Sequence, residues 1–102
     1  MSAADGEPDG EVVVRDAPGL GRYELLVAGK LAGVSTYKLD GETMTFVHTE
    51  VRPAFEGRGL GGRLAKHVLD DARRRGLRVV PRCPFIAAYI ERHPEYADLV
   101  DV

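Results

Sequence analysis

The sequence predicts an α+β fold: a mixed sheet with a four-stranded antiparallel meander, a fifth strand parallel to the fourth, and two main helices. Two observations predict it. Residues 11–51 carry strand signals, with β-branched runs between turn-prone glycines, whereas apolar residues recur at helical spacing through residues 59–100. A strand, a helix and a further strand form a right-handed crossover, which makes the fourth and fifth strands parallel.

Short turn signals separate the first four predicted strands. Asp40-Gly41 is the strongest of them, because both central positions of a type I′ turn require positive φ. In the fourth strand, strict alternation places Met44, Phe46, His48 and Glu50 on one face. The five predicted strands span residues 11–15, 22–29, 31–40, 42–51 and 77–82.

Two helices follow from the second half of the chain. The first is predicted over residues 60–76, with Gly76 as its C-cap and with arginines 73–75 as a solvated end that complements the helix dipole. The second spans residues 84–93 and opens with a proline, which is tolerated at the first helical position. Residues 95–100 form a last turn that packs back on the body.

The composition describes one ordinary domain of 102 residues, 44% hydrophobic and 29% charged. Residues 1–10 are acidic and poor in apolar residues, so we expect a disordered tail rather than a signal peptide, followed by a single domain over residues 11–102. No apolar run approaches the ~20 residues of a membrane span. The location expected from these features is cytoplasmic, with no membrane partner.

A net charge of -2 argues against a nucleic-acid partner. Cys83 is the single cysteine, so an internal disulfide and a cysteine zinc cluster are excluded. The histidines show no metal-ligand spacing, and no metal is expected. An exposed sheet edge would allow pairing, so the chain is expected to be a monomer or a weak dimer.

The most informative segment joins the fourth strand to the first helix. Glycines at a helix N-terminus let a ligand approach the backbone, and the free amides and the helix dipole attract phosphate. Arg58 and Arg63 would add charge-assisted contacts. A flexible connector is the alternative, and the segment is neither a Walker loop nor a convincing dinucleotide fingerprint. Its glycines are Gly57, Gly59, Gly61 and Gly62.

The pattern V-x-P-x-F-x-G-x-G-L-G, which begins at Val51, resembles the acetyl-CoA loop of the Gcn5-related N-acetyltransferase (GNAT) superfamily. The chain also resembles a small single-domain branch, the YjdJ type, which has H-T-x-V before the loop and C-P-F after the fifth strand. Here these motifs begin at His48 and Cys83. Glu56 stands where the superfamily usually has arginine or glutamine. The extra elements that build the acceptor pocket in larger relatives are missing, which implies an open acceptor site.

The resemblance implies that acetyl-CoA is the acetyl donor and that an amine, either a protein lysine or a small amine, attacks the thioester directly. The fourth and fifth strands would splay apart near Pro81, which donates no ladder hydrogen bond. A backbone N–H between Thr49 and Val51 would then bind the acetyl oxygen. The cofactor-binding residues implied are Thr49, Val51, Phe55, Glu56, Gly57, Arg58, Gly59, Leu60, Gly61, Gly62 and Arg63.

Four side chains are candidates for catalysis, each with a structural alternative. Tyr89 matches a family tyrosine that protonates the departing sulfur, but it also fits a core aromatic position. Cys83 is expected near the acetyl sulfur, as a nucleophile or as a small buried hydrophobe. His48 and Glu50 are candidates for the general base, directly or through water, or else they are a packed histidine and a solvated carboxylate.

Two further hypotheses stay open beside the acetyltransferase. The chain would be a non-catalytic acyl-CoA-binding or sensor module if it keeps the loop but lacks an acceptor site. It would be a small interaction domain if the glycines are only connectors. Cofactor binding without turnover favours the first of these, and failure to bind coenzyme A favours the second.

Overall fold

Five strands form one sheet, in the order β1-β2-β3-β4-β5, in a computed structural model that describes residues 10–100. The first four strands are antiparallel neighbours, and β5 runs parallel to β4. This confirms the predicted mixed sheet. The predicted tail lies outside the described residues, apart from Gly10. The strands are β1 Val12–Ala17, β2 Arg22–Val27, β3 Lys30–Asp40, β4 Thr43–Val51 and β5 Arg78–Pro81.

Helices α1 (Leu60–Arg74) and α2 (Pro84–Arg92) pack together on one face of the sheet, and the core lies between them and that face. Beyond α1, the Gly76 amide donates to the Arg73 carbonyl and the next amide to the Ala72 carbonyl. This is the glycine C-cap that the sequence predicts. A 3-10 turn, Pro94–Leu99, follows α2 and returns the chain to α1.

Both hairpin turns differ from the predicted ones, and β2 ends at Val27 rather than at residue 29. Ala28 and Gly29 link β2 to β3, and both have positive φ (50° and 80°), as a type I′ turn requires. Between β3 and β4, however, the pair that faces across the turn is Asp40 and Thr43. The central residues are therefore Gly41 and Glu42 rather than Asp40 and Gly41, and of the two only Gly41 (φ 61°) has positive φ.

A β-bulge at Val47 corrects the predicted faces of β4. His48 pairs with Thr36 whereas Phe46 pairs with Tyr37, so Val47 is an extra residue that reverses the alternation. Met44 and Phe46 therefore share the helix-covered face with Thr49 and Val51, while His48 and Glu50 turn to the opposite, open face of the sheet. Regular period-two alternation cannot reveal a bulge, which explains why the sequence-based assignment of His48 and Glu50 was wrong.

The arginines at the end of α1 are paired rather than simply solvated. Asp71, which is 8% exposed, accepts hydrogen bonds from Arg74, from Arg75 (3.2 Å) and from the Tyr23 hydroxyl (2.5 Å). Burial opposes ionisation, but these donors hold the pKa of the Asp71 carboxyl below its usual value. Arg73 reaches the turn after α2, where it binds both carboxylate oxygens of Asp98. These contacts anchor α1 to the sheet and to the C-terminal turn.

Candidate active site

The ladder between β4 and β5 ends early and leaves an open edge on β4. Pairing stops at Phe46 and Pro81, and the Cys83 amide donates to the Phe46 carbonyl (2.9 Å) as the last link. The Arg52 amide donates to Ala32 on β3 (2.7 Å). Since successive amides of a strand point to opposite sides, those of Val51 and Thr49 point away from β3, into the gap beside β4.

The glycine-rich segment continues from this edge into α1. Gly57 (φ 83°) and Gly59 (φ 71°) adopt the left-handed conformation that other residues rarely take. Gly59 is the N-cap of α1 and supplies no side-chain cap. Among the described residues, no group accepts a hydrogen bond from the amides of Leu60, Gly61 or Gly62. The helix end therefore presents free donors and the positive end of its dipole.

A surface depression of about 260 Å³ lies over these amides. Eight of the residues predicted to bind the cofactor line it. Phe85 at the start of α2 is a further wall that the sequence analysis missed, and its only signal was the C-P-F motif. The depression is lined by Val51, Phe55, Glu56, Gly57, Gly59, Leu60, Gly61, Gly62 and Phe85.

Three residues predicted for the cofactor lie outside this depression. Arg58 and Arg63 border a smaller one of about 50 Å³ against β1 and β2, and the Arg58 guanidinium stands 5.5 Å from the centre of the Phe55 ring. Thr49 is half-buried, and its hydroxyl forms a hydrogen bond of 2.9 Å with that of the fully buried Ser35. The two arginines thus flank the loop, and Thr49 offers its backbone amide to the gap.

Cys83 and Tyr89 are both buried, and neither lines the depression. Cys83, 2% exposed, is the N-cap of α2 beside the end of the β4–β5 ladder. The Tyr89 ring stacks on His93 with their centres 3.9 Å apart, and burial raises the pKa of the Tyr89 hydroxyl. Tyr89 is therefore held in the protonated form that a proton donor needs.

His48 and Glu50 form a pair on the open face of the sheet. Their Nε2 and Oε1 atoms are 2.9 Å apart, and their side chains are 60% and 56% exposed. Glu50 also lines a depression of about 140 Å³ on this face, together with Arg22 and Arg52, which the sequence analysis did not single out. The candidate base thus lies on the side of the sheet opposite the helices.

Within the described part of the chain, no cluster of three or more histidine, cysteine, aspartate or glutamate side chains is placed to hold a metal ion. No helix formed by residues 10–100 is long and apolar enough to cross a membrane.

The fold is that of the GCN5-like acetyltransferases. It matches a GCN5-like protein of Staphylococcus aureus with a TM-score of 0.66 and 22% identity over 93% of this chain and 91% of that one. The match to the ribosomal-protein-S18-alanine N-acetyltransferase of Escherichia coli has a TM-score of 0.54 and 25% identity, and covers 57% of this chain but only 38% of that one. N-acetylglutamate synthase of Neisseria gonorrhoeae, solved with coenzyme A and N-acetyl-glutamate, matches with a TM-score of 0.52 and 20% identity over 69% of this chain and 19% of its own.

The sequence itself assigns the family. The profile of the GCN5-related N-acetyl-transferase family matches residues 22–99. The chain therefore belongs to this family of acyltransferases, whose acetyl donor is acetyl-CoA. No curated protein matches the chain. Membership of the YjdJ-type branch stays a prediction.

Proposed function

We propose that this protein is an acetyl-CoA-dependent N-acetyltransferase in which an amine attacks the thioester directly. The observation that carries the proposal is the open edge of β4 beside a glycine-lined helix N-terminus, in a chain that belongs to an acetyltransferase family. Neither feature alone is specific, because glycine loops also serve as connectors. Their adjacency supplies donors for a pyrophosphate and for a thioester within one continuous surface. The proposal includes a cytoplasmic location for the protein.

Acetyl-CoA fits the groups that the site presents. The amides of Leu60, Gly61 and Gly62, from which no described group accepts a hydrogen bond, would hold the pyrophosphate. The amides of Thr49 and Val51 would bind the acetyl oxygen as negative charge develops on it. Glu56 lines the same depression as an anion, so the recognition of phosphate falls on the backbone rather than on this side chain.

The remaining groups supply the proton transfers. The amine nitrogen forms a bond to the acetyl carbon, the carbon–sulfur bond breaks, and the electron pair leaves with the thiolate. Glu50, paired with His48, accepts the proton that the amine loses, directly or through a water molecule. The Tyr89 hydroxyl, kept protonated by burial, returns a proton to the sulfur.

Thermal unfolding with and without acetyl-CoA tests cofactor binding. At a hundredfold excess over Kd, a ligand of the native state adds roughly 2.7 kcal/mol, or about 10 to 20 °C in Tm for a domain of this size. Dephospho-CoA and ATP are the controls, and ATP should give little shift. If millimolar acetyl-CoA leaves Tm unchanged, the glycine segment is a connector and the proposal is wrong. Tight binding without turnover of any amine would instead favour the acyl-CoA sensor.

One variant tests the proton donor, and a second one separates direct attack from a covalent route. Tyr89→Phe should lower kcat by roughly tenfold or more with little change in KM, because only proton donation is removed. Cys83→Ala should keep both cofactor binding and most of the turnover, since the thiol is buried at the end of the ladder. Mass spectrometry of the wild-type protein with acetyl-CoA is the companion measurement. An acetylated Cys83, together with an inactive alanine variant, would replace direct attack by an acetyl-cysteine intermediate.

A further inference from the structure

Arg52 is an exposed arginine that lies in a recess with the candidate base. It follows β4 directly, its side chain is exposed, and no carboxylate of the described residues pairs with it. It lines the depression on the open face of the sheet together with Glu50, the candidate base. A free guanidinium therefore shares a recess with the group proposed to take the proton from the amine.

The charges around this recess do not cancel. Arg22 also lines it, and its guanidinium donates to Glu24 at 2.7 Å. Glu24 is already bound by Arg15 (2.9 Å), so it is shared between two cations. Glu50 is then the one anion of the lining beside two guanidinium groups, and Leu31, Gly33 and Val34 complete it with an apolar floor.

We propose that the acceptor is a small amine that carries a carboxylate a few bonds from its nitrogen, as an α-amino acid does. The amine faces the Glu50–His48 pair, and the carboxylate binds Arg52 with help from Arg22. This acceptor class rests on the proposed acetyl transfer. A fork of guanidinium N–H groups matches a carboxylate in geometry and charge, whereas a polyamine would meet two like charges.

The dimensions agree with a ligand of this size. Strands of a sheet lie about 4.8 Å apart, so the recess reaches only about 10 Å from β2 to β4. Its volume of about 140 Å³ suits one amino-acid head group. An isolated lysine side chain of a protein brings no anion to Arg52, so it leaves this guanidinium without a partner.

The test compares each amino acid with its own decarboxylated amine: lysine with cadaverine, tyrosine with tyramine, and histidine with histamine. Steady-state kcat/KM is measured at saturating acetyl-CoA. The wild-type protein should favour the carboxylated member by roughly tenfold or more. Arg52→Gln should bring this ratio towards one. Lys38→Gln is the matched control, because Lys38 is an exposed cation of β3 that does not line the recess, and it should leave the ratio unchanged.

The outcomes separate this inference from the proposed function. Acetylation of the decarboxylated amines at an equal or higher kcat/KM overturns the acceptor class and leaves the acetyltransferase standing. Arg52→Gln could instead lower kcat/KM equally for both members of a pair and weaken the binding of acetyl-CoA. That result would show that Arg52 binds the cofactor, and it would also overturn the inference. If no member of any pair is acetylated although acetyl-CoA binds, the acceptor class is wrong. The proposed function then fails as well unless another amine, such as the lysine of a peptide, is acetylated.

Discussion

The glycines of the loop are required for different physical reasons, some by backbone conformation and one by close packing. Gly57 and Gly59 take positive φ, which excludes most side chains. Gly61 has an ordinary φ, but a Cβ there would lie 2.8 Å from Cζ of Phe85. At Gly62 the nearest atom to a Cβ would be Cε1 of Tyr89, at 3.9 Å. The sequence shows the cluster, but the reason for Gly61 depends on α2, which lies more than twenty residues away along the chain.

This difference makes Gly61→Ala and Gly62→Ala a matched pair. Both replace glycine by alanine in the first turn of α1, a change that in a helix interior gains up to about 1 kcal/mol in propensity. Only Gly61→Ala must displace the Phe85 ring from the wall of the depression. We expect its free energy of unfolding to be about 1 kcal/mol or more below that of Gly62→Ala, and its affinity for acetyl-CoA to be weaker.

Urea unfolding and calorimetric titration with acetyl-CoA measure the two effects. Adding Phe85→Leu to Gly61→Ala should restore part of the lost stability, because it removes the ring that the new methyl group meets. Equal stabilities of the two alanine variants would contradict the close approach of α2 to α1.

At the scale of elements, sequence patterns predict the strands, the helices and their order to within about two residues. The reason is that each element carries its own periodicity, cap or turn signal. The bulge at Val47 leaves no such local signal, yet it decides that Glu50 faces the open side of the sheet. Local patterns do not predict the recess lined by Arg22 and Arg52 either, because its residues come from the start of β2 and the end of β4, which are far apart in the sequence. Local patterns thus predict the loop, whereas the proposed acceptor site depends on the register of β4 against β3.

At the scale of the whole molecule, buried tyrosine hydroxyls join segments that are far apart in sequence. Tyr23 on β2 donates to Asp71 on α1 (2.5 Å), and Tyr37 on β3 donates to Asp16 on β1 (2.5 Å). In the C-terminal turn, Tyr96 donates to Asp70 on α1 (2.6 Å). These three bonds tie α1, the sheet and the last turn together around the core. Each requires a protonated tyrosine facing an ionised carboxylate.

The stability of the protein should therefore fall in alkali. Burial, followed by the aspartate bond, raises the pKa of Tyr37 to about 12, and the same two causes raise the pKa of Tyr96 to about 12. Burial raises the pKa of Tyr23 further still, with Asp71 as the next cause. An unfolded tyrosine ionises near pH 10, so the stabilisation is complete below about pH 10 and is lost as the pH rises towards the folded values.

Two measurements check this expectation. The ultraviolet absorbance of tyrosinate should stay low in the native protein at about pH 10, where the urea-unfolded chain is half-ionised. The free energy of unfolding in urea should fall by about 1 kcal/mol or more between about pH 10 and pH 11. Tyr37→Phe is the control: it keeps the buried ring but removes one titrating hydroxyl, so the fall should be smaller. If the tyrosines of the native protein are half-ionised near pH 10, as in the unfolded chain, the hydroxyl–carboxylate bonds do not form in solution. The Tyr23–Asp71 hydrogen bond then cannot be what anchors α1 to the sheet.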